Sequence, residues 1–141
     1  MAATARINLA RIMRATGQND AAQALLHQCD DWYRSAGGGD GALLTRALLA
    51  ATSEAEDPKL ESIIEQARLA GDHEVQVVIL DVLARRAAQR GQLRTAQQLL
   101  ATADSAALAA VNIVDEVDRL DAHQARELIR PVAAGPGADL P

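Results

Sequence analysis

The sequence predicts an all-α fold built of antiparallel helix hairpins stacked in chain order. Three observations carry that reading. Ala and Leu supply most of the apolar residues, and Trp32 and Tyr33 are the only aromatics; Ala and Leu head the helix scale, whereas strands are enriched in aromatic and β-branched residues. Apolar residues recur three and four apart in one segment after another. Gly17 and Gly91, each lying between two such segments, are 74 residues apart, about two periods of 37.

The first element, Thr4 to Ala15, brings Ile7, Leu9, Ala10 and Met13 near one side, with Arg6, Arg11 and Arg14 more exposed. Thr16-Gly17 ends it, because Gly can take the left-handed conformation of a helix C-terminus. Asn19 or Asp20 is expected to cap the next helix, which runs through Ala22, Leu25, Leu26, Cys29 and Trp32 to about Ser35. Gly37-Gly38-Gly39-Asp40-Gly41 cannot stay helical at about 1 kcal/mol per Gly relative to Ala, so it joins the first hairpin to the second.

Ala42 to Thr52 is a short helix with Leu44, Leu48 and Ala51 on one face, and Ser53 to Asp57 turns the chain. Asp57 is expected to cap the following helix, with Pro58 at a first position that needs no N–H. Leu60, Ile63, Ile64, Ala67 and Leu69 stripe that helix to Ala70-Gly71, and Asp72 caps the next. The clearest hairpin follows: His73 to Gln89 with Leu80, Leu83, Ala84 and Ala87 inward, a turn at Gly91, and a return through Leu93, Ala96, Leu99, Leu100 and Ala103. Ser105 is expected to cap a seventh helix to about Asp118, and Asp121 to start a short last helix that Pro131 ends. The remaining tail, 131–141, is rich in Gly and Pro and is expected to be disordered. The folded domain is thus placed at 4–130, with hairpins at about 4–35, 42–70 and 73–104 and terminal helices at 105–130.

Bulk properties narrow the function. At 141 residues the chain accommodates one folded unit, or about three to four repeat units. A net charge of −5 argues against a general nucleic-acid binder, which needs a basic face for phosphate. Cys29 is the single cysteine, so no internal disulfide can form and a reducing compartment is expected. No apolar run nears the roughly 18 residues of a membrane span, and MAATARINLARIMRATG has neither a signal-peptide core nor a cleavage site. The cytoplasm is the expected location. Lys59 is the only lysine beside many arginines, which, with so much Ala, suggests a GC-rich bacterial genome.

Superposing the two inter-helix glycines sets Leu9-Ala10 opposite Leu83-Ala84, Ala22 opposite Ala96, Leu26 opposite Leu100 and Cys29 opposite Ala103. With Ala55 as the middle turn, Leu44, Leu48, Ala51, Leu60, Ile64 and Ala67 take corresponding places in a weaker copy. Small residues at such positions let two helices touch, and larger ones fill the gap to the next hairpin. This pattern resembles the tetratricopeptide repeat (TPR): Leu80, Leu83-Ala84, Gly91, Ala96 and Ala103 in the third hairpin, and Leu9-Ala10, Gly17, Ala22 and Cys29 in the first. The likeness covers about residues 4 to 104. It departs from the common repeat at Arg6, Met13, Ala51 and Ala87, where bulky or Tyr residues are usual, and in its longer period. In those respects it is similar to the repeats of large bacterial signalling ATPases and maltose-regulator-type transcription factors, though no Walker motif or DNA-reading helix is present. The resemblance implies a right-handed superhelical stack of about three repeats, with a degenerate C-terminal repeat or cap.

Candidate chemistry is thin. The Gly37–Gly41 stretch lacks the GK[ST] ending of a phosphate loop and no strand leads into it, so a linker is the better reading. His27 and Cys29 lack a second ligand pair, and Cys29 falls at the small-residue repeat position. His73-Glu74 would need a second His where Val77 stands. Asp115, Glu116, Asp118 and Asp121 lack the alternate spacing and Gly of a calcium loop and read as a solvated helix face and cap. No nucleophile has an evident base, so no enzyme, metal or cofactor is expected.

What the resemblance implies is a protein-interaction scaffold whose groove is lined by exposed positions of each hairpin's first helix. By register these are Ile7, Arg11, Arg14, Thr45, Leu49, Thr52, Asp81, Arg85 and Gln89. Arg11, Arg14 and Arg85 put positive charge there and suit an acidic or carboxylate-bearing peptide; the alternative is that they are ordinary surface arginines. The Lys/Asn set with which some repeats clamp a peptide carboxylate is not matched. Two other readings stand beside this one: a small adaptor that self-associates as a homo-oligomer, and an enzyme with an unfamiliar helical site.

Overall fold

The structure, a computed structural model, describes residues 3–110 and 119–133. Within them the chain is all-α, with seven helices and no strand: α1 (Ala3–Ala15), α2 (Asn19–Ser35), α3 (Ala42–Thr52), α4 (Asp57–Ala70), α5 (His73–Gln89), α6 (Leu93–Ala109) and α7 (Leu120–Ala133). The glycine stops act as their chemistry requires. Gly17, Gly71 and Gly91 all have positive φ, and the N–H just beyond each one reaches back to a carbonyl of the last turn, as from Gln18 to Met13 and from Gln92 to Ala87, both at 2.8 Å. Asp72 caps α5 by accepting from the Val75 N–H at 3.1 Å.

Other helix ends differ from expectation. Asn19, Asp20 and Asp57 lie inside their helices, and the N-caps are Gln18 and Glu56 with no side-chain cap bond. α6 does not stop at Asp104. It continues through Ser105 to Ala109, because the surrounding Ala and Leu propagate a helix that one Ser does not break. The expected helix from Ser105 to Asp118 therefore begins inside α6, and its remainder at 111–118 lies outside the described residues. α7 likewise runs past Pro131 to Ala133; a Pro in the final turn removes one hydrogen bond without unseating the turns before it. Three residues of the expected disordered tail are thus helical, and 134–141 lie outside the described residues.

Each helix packs on its neighbour in the chain, and the odd-numbered helices also touch in succession: α1 on α3, α3 on α5, α5 on α7. α5 is the hub, meeting α3, α4, α6 and α7, and it is buried on nearly every side from Val75 to Ala88. One apolar cluster joins Ile7, Leu26, Leu48, Leu60, Ile63 and Ile79 across the first five helices. A second joins Ala84, Ala87 and Ala88 of α5 to Ala96 and Leu100 of α6 and to Ala122, Ala125 and Ile129 of α7. The alanines at that second seam are what let three helices meet closely.

Two expected core residues, and one leucine in the extra turn of α6, point outward. Trp32 is 54 % exposed while Tyr33 beside it is 5 % exposed, because Ala22, Leu26, Cys29 and residue 33 fall on one line of the helix and residue 32 lies about 80° off it. Leu69, 84 % exposed, sits nine residues from Leu60 and so on the opposite side of α4. Leu108, in the extra turn of α6, is also solvent-facing.

Candidate functional site

α1, α3 and α5 contribute one face, and arginines and carboxylates cross it. Arg11 of α1 pairs with Glu74 at the start of α5. Arg14, one turn further along α1, donates from Nη2 to Asp121 Oδ2 of α7 at 2.6 Å. The other oxygen of Asp121 lies 2.8 Å from Arg85 Nε, and Arg85 Nη2 donates to Glu54 Oε1 at 2.8 Å. One carboxylate of α7 is therefore held between guanidiniums of α1 and α5, and it is only 3 % exposed. Glu54 reaches Arg85 and Arg86 from the α3–α4 turn, where it adopts φ of 54°, a conformation uncommon for a residue with a side chain.

Two further clusters flank this seam. Arg119, just ahead of α7, takes both oxygens of Asp81, at 2.9 and 3.1 Å, and Asp104 of α6 at 2.6 Å. Burial pushes the Asp81 carboxyl above its ordinary value, against the opposing pull of Arg119, while the paired acids hold Arg119 more firmly charged. Burial also acts to raise Asp104, but its bonds and charge contacts with Arg119 and Arg126 outweigh that and lower it. On the other flank Asp57 accepts from Arg86 at 2.7 Å and Arg90 at 2.9 Å. The hydrogen bonds of Arg90 and then Arg86 hold the Asp57 carboxyl below the usual range.

The residues assigned by register to an exposed groove divide on this face. Arg11, Arg14 and Arg85 do converge on it, though as members of ion pairs. Ile7, Thr45, Thr52, Asp81 and Arg85 are buried, which corrects the expectation that all nine positions are exposed. The two threonines turn inward because each hydroxyl donates to a carbonyl four residues back, Thr45 to Gly41 at 2.8 Å and Thr52 to Leu48 at 2.7 Å. Leu49 is half-buried against the main core, and Gln89 is exposed beside Arg86 and Arg90. Asp121, expected on a solvated face, is instead the buried centre of the seam; Asp115, Glu116 and Asp118 lie outside the described residues.

Arg14, Thr52, Glu54, Arg85, Asp121 and Gln124 surround a depression of about 280 Å³ where the ends of α1 and α3 face the start of α7. Its lining can offer guanidinium and carboxylate groups to a polar partner. No family model, curated protein or solved structure matches the chain. Function rests on this geometry. Cys29 is buried, and burial, its largest influence, raises the thiol above its usual range, which suits a core residue better than a nucleophile. Among the described residues no group of three or more His, Cys, Asp or Glu is arranged to hold a metal ion, and no helix is long and apolar enough to cross a membrane.

Proposed function

We propose that the chain is a non-enzymatic protein-interaction module of TPR-like architecture, which binds a carboxylate-bearing helix or peptide along the face of α1, α3 and α5. One observation carries the reading: that face already receives a helix of the chain itself, α7, through Asp121 set between Arg14 and Arg85. A face that takes one helix through a carboxylate held by charge-assisted bonds has the chemistry to take another. Support for the repeat stack comes from the order of packing, neighbour on neighbour and odd helix on odd helix. The acidic balance and the Arg-rich, Lys-poor composition suit a bacterial signalling or transcription-regulatory assembly.

On this reading α7 competes with the partner. Affinity capture from the native host supplies the partner, and calorimetry with purified Asp121→Asn, checked by circular dichroism, tests the site. The substitution weakens the internal occupant and is expected to tighten binding about tenfold, roughly 1.4 kcal/mol. Arg14→Glu is expected to abolish it. Unchanged affinity in both variants would sink the proposal.

A further inference from the structure

α7 is held along one strip of its surface, and that strip has a fixed order of charges. Ala122 and Ala125 are fully buried in the cluster with Ala84, Ala87 and Ala88 of α5, and Ile129 continues the same row. At about 100° per residue the three positions on α7 fall within roughly 60° of one another. Asp121 lies about 70° to one side of the row and Arg126 about 70° to the other. His123, Gln124, Glu127 and Leu128 are exposed.

The receiving surface mirrors that order. Asp121 is met by Arg14 and Arg85, whereas Arg126 meets Asp104 of α6 at 2.9 Å, and Arg119, about two turns ahead of it, meets Asp104 and the buried Asp81. Alanines of α5 form the floor on which the row rests, and helices approach that closely only where both sides are small. A helix rotated to exchange its two borders would turn its carboxylate toward Asp104 and its guanidinium toward Arg14, and like charges so placed repel. A longer side chain at either alanine would hold the helix off the floor. Ile129 is the one large apolar side chain that α7 buries among the described residues, so direction and register come from charge and small size.

We propose that the partner is a helix carrying the pattern Arg-x-Asp-Ala-x-x-Ala-Arg-x-x-Ile, the pattern of positions 119–129, and that it docks in place of α7 and in the same direction. The proposal rests on the reading of this face given above and narrows it. There a carboxylate suffices; here the carboxylate must stand on one border of a small-residue row with arginines on the other. Positions marked x are free, because their counterparts on α7 do not enter the ion pairs or the buried row.

The test uses the full chain and a fluorescein-labelled peptide of residues 119–133, blocked at both ends and titrated by anisotropy. Asp121→Asn and Arg126→Gln in the protein loosen α7 from opposite borders, and circular dichroism checks the fold of each, so that either one suffices. Saturable binding is expected, about tenfold tighter to a loosened variant than to the unaltered chain and weaker with added salt. In the peptide, Asp121→Arg combined with Arg126→Asp exchanges the borders at constant composition, and it is expected to weaken binding at least about a hundredfold, as is Ala125→Leu. Leu128→Ala in the peptide is expected to leave binding unchanged. An exchanged peptide that binds as tightly as the parent would overturn the pattern while leaving the carboxylate site intact; a captured partner blind to both Arg14→Glu and Asp121→Asn removes that site as well. No binding of the parent peptide to a folded variant would also overturn the pattern, and dimerisation that shuts the peptide out would make a second copy the occupant in place of a partner helix.

Discussion

Arg14 and Asp121 are 107 positions apart in the chain and meet at 2.6 Å, joining the first helix to the last across the face of α3 and α5. The second oxygen of Asp121 faces Arg85, so one carboxylate ties three helices. Removing a partner from a buried ion pair leaves uncompensated charge, typically a loss of about 3–5 kcal/mol. Because Arg85 keeps Glu54, Asp121→Ala is expected near the low end, about 3 kcal/mol, read as a lower midpoint in urea. An unchanged midpoint would show that the seam contributes little.

The alanine seam gives a second outcome. Ala84 is fully buried where α5 meets α6 and α7. Ala84→Leu adds volume where the helices already touch, so about 1–3 kcal/mol of destabilisation is expected. Hydrogen exchange should quicken along α7 and leave α1 to α4 protected. Uniform acceleration along the chain would mean that the two apolar clusters melt as one.

Gly41 lies directly against the ring of Tyr33. Its φ of +95° disfavours any side chain, and a Cβ there meets the Tyr33 oxygen at 2.4 Å. Gly41→Ala is expected to cost about 2–3 kcal/mol, combining left-handed strain with overpacking. Adding Tyr33→Phe should recover the steric part alone. Gly17→Ala is the control, since it also has positive φ but nothing within 4 Å of a Cβ, and about 1–2 kcal/mol is expected there. Equal losses at the two glycines would argue against the close approach of Tyr33.

Asp57 sets part of the acid limb. Its carboxyl is lower in the folded protein than when unfolded, so the native state holds that proton less tightly. The resulting stability is present above about pH 4 and disappears as pH falls through the folded value. Asp57→Asn is expected to remove about 1 kcal/mol at neutral pH, allowing for partial exposure, and to flatten the loss seen in urea melts between about pH 5 and pH 1. Asp81, raised by burial, contributes with the opposite sign: its share favours folding at low pH and fades as pH rises through its folded value. A parallel pH profile for Asp57→Asn would contradict the Arg86 and Arg90 pairing.

What could be read from sequence was local chemistry. Gly17, Gly71 and Gly91 mark real helix ends, because a left-handed C-terminus needs only the residue itself. Asp72 caps for the same reason. Apolar character places Leu69 and Trp32 inward where helix angle decides otherwise, and the same angle, had it been applied, would have put Tyr33 on the buried line of Ala22, Leu26 and Cys29 in place of Trp32. The seam itself had no such signal. Asp81 and Arg119 are 38 residues apart and Arg14 and Asp121 are 107 apart, and no periodicity within one helix says which distant charge it will meet. The close approach of the Tyr33 ring to Gly41 likewise becomes visible only once the parts of the chain are assembled.

The closure of Arg14 by Asp121 also has a timetable. At about 5–20 residues per second, synthesis of the intervening chain takes roughly 5 to 20 seconds. During that interval α1, α3 and α5 emerge in turn while the helix that covers their ends does not yet exist. A nascent chain therefore passes through a stage in which Arg14 stands open to whatever acidic surface lies nearby, the ribosome's own included, until α7 arrives to claim it.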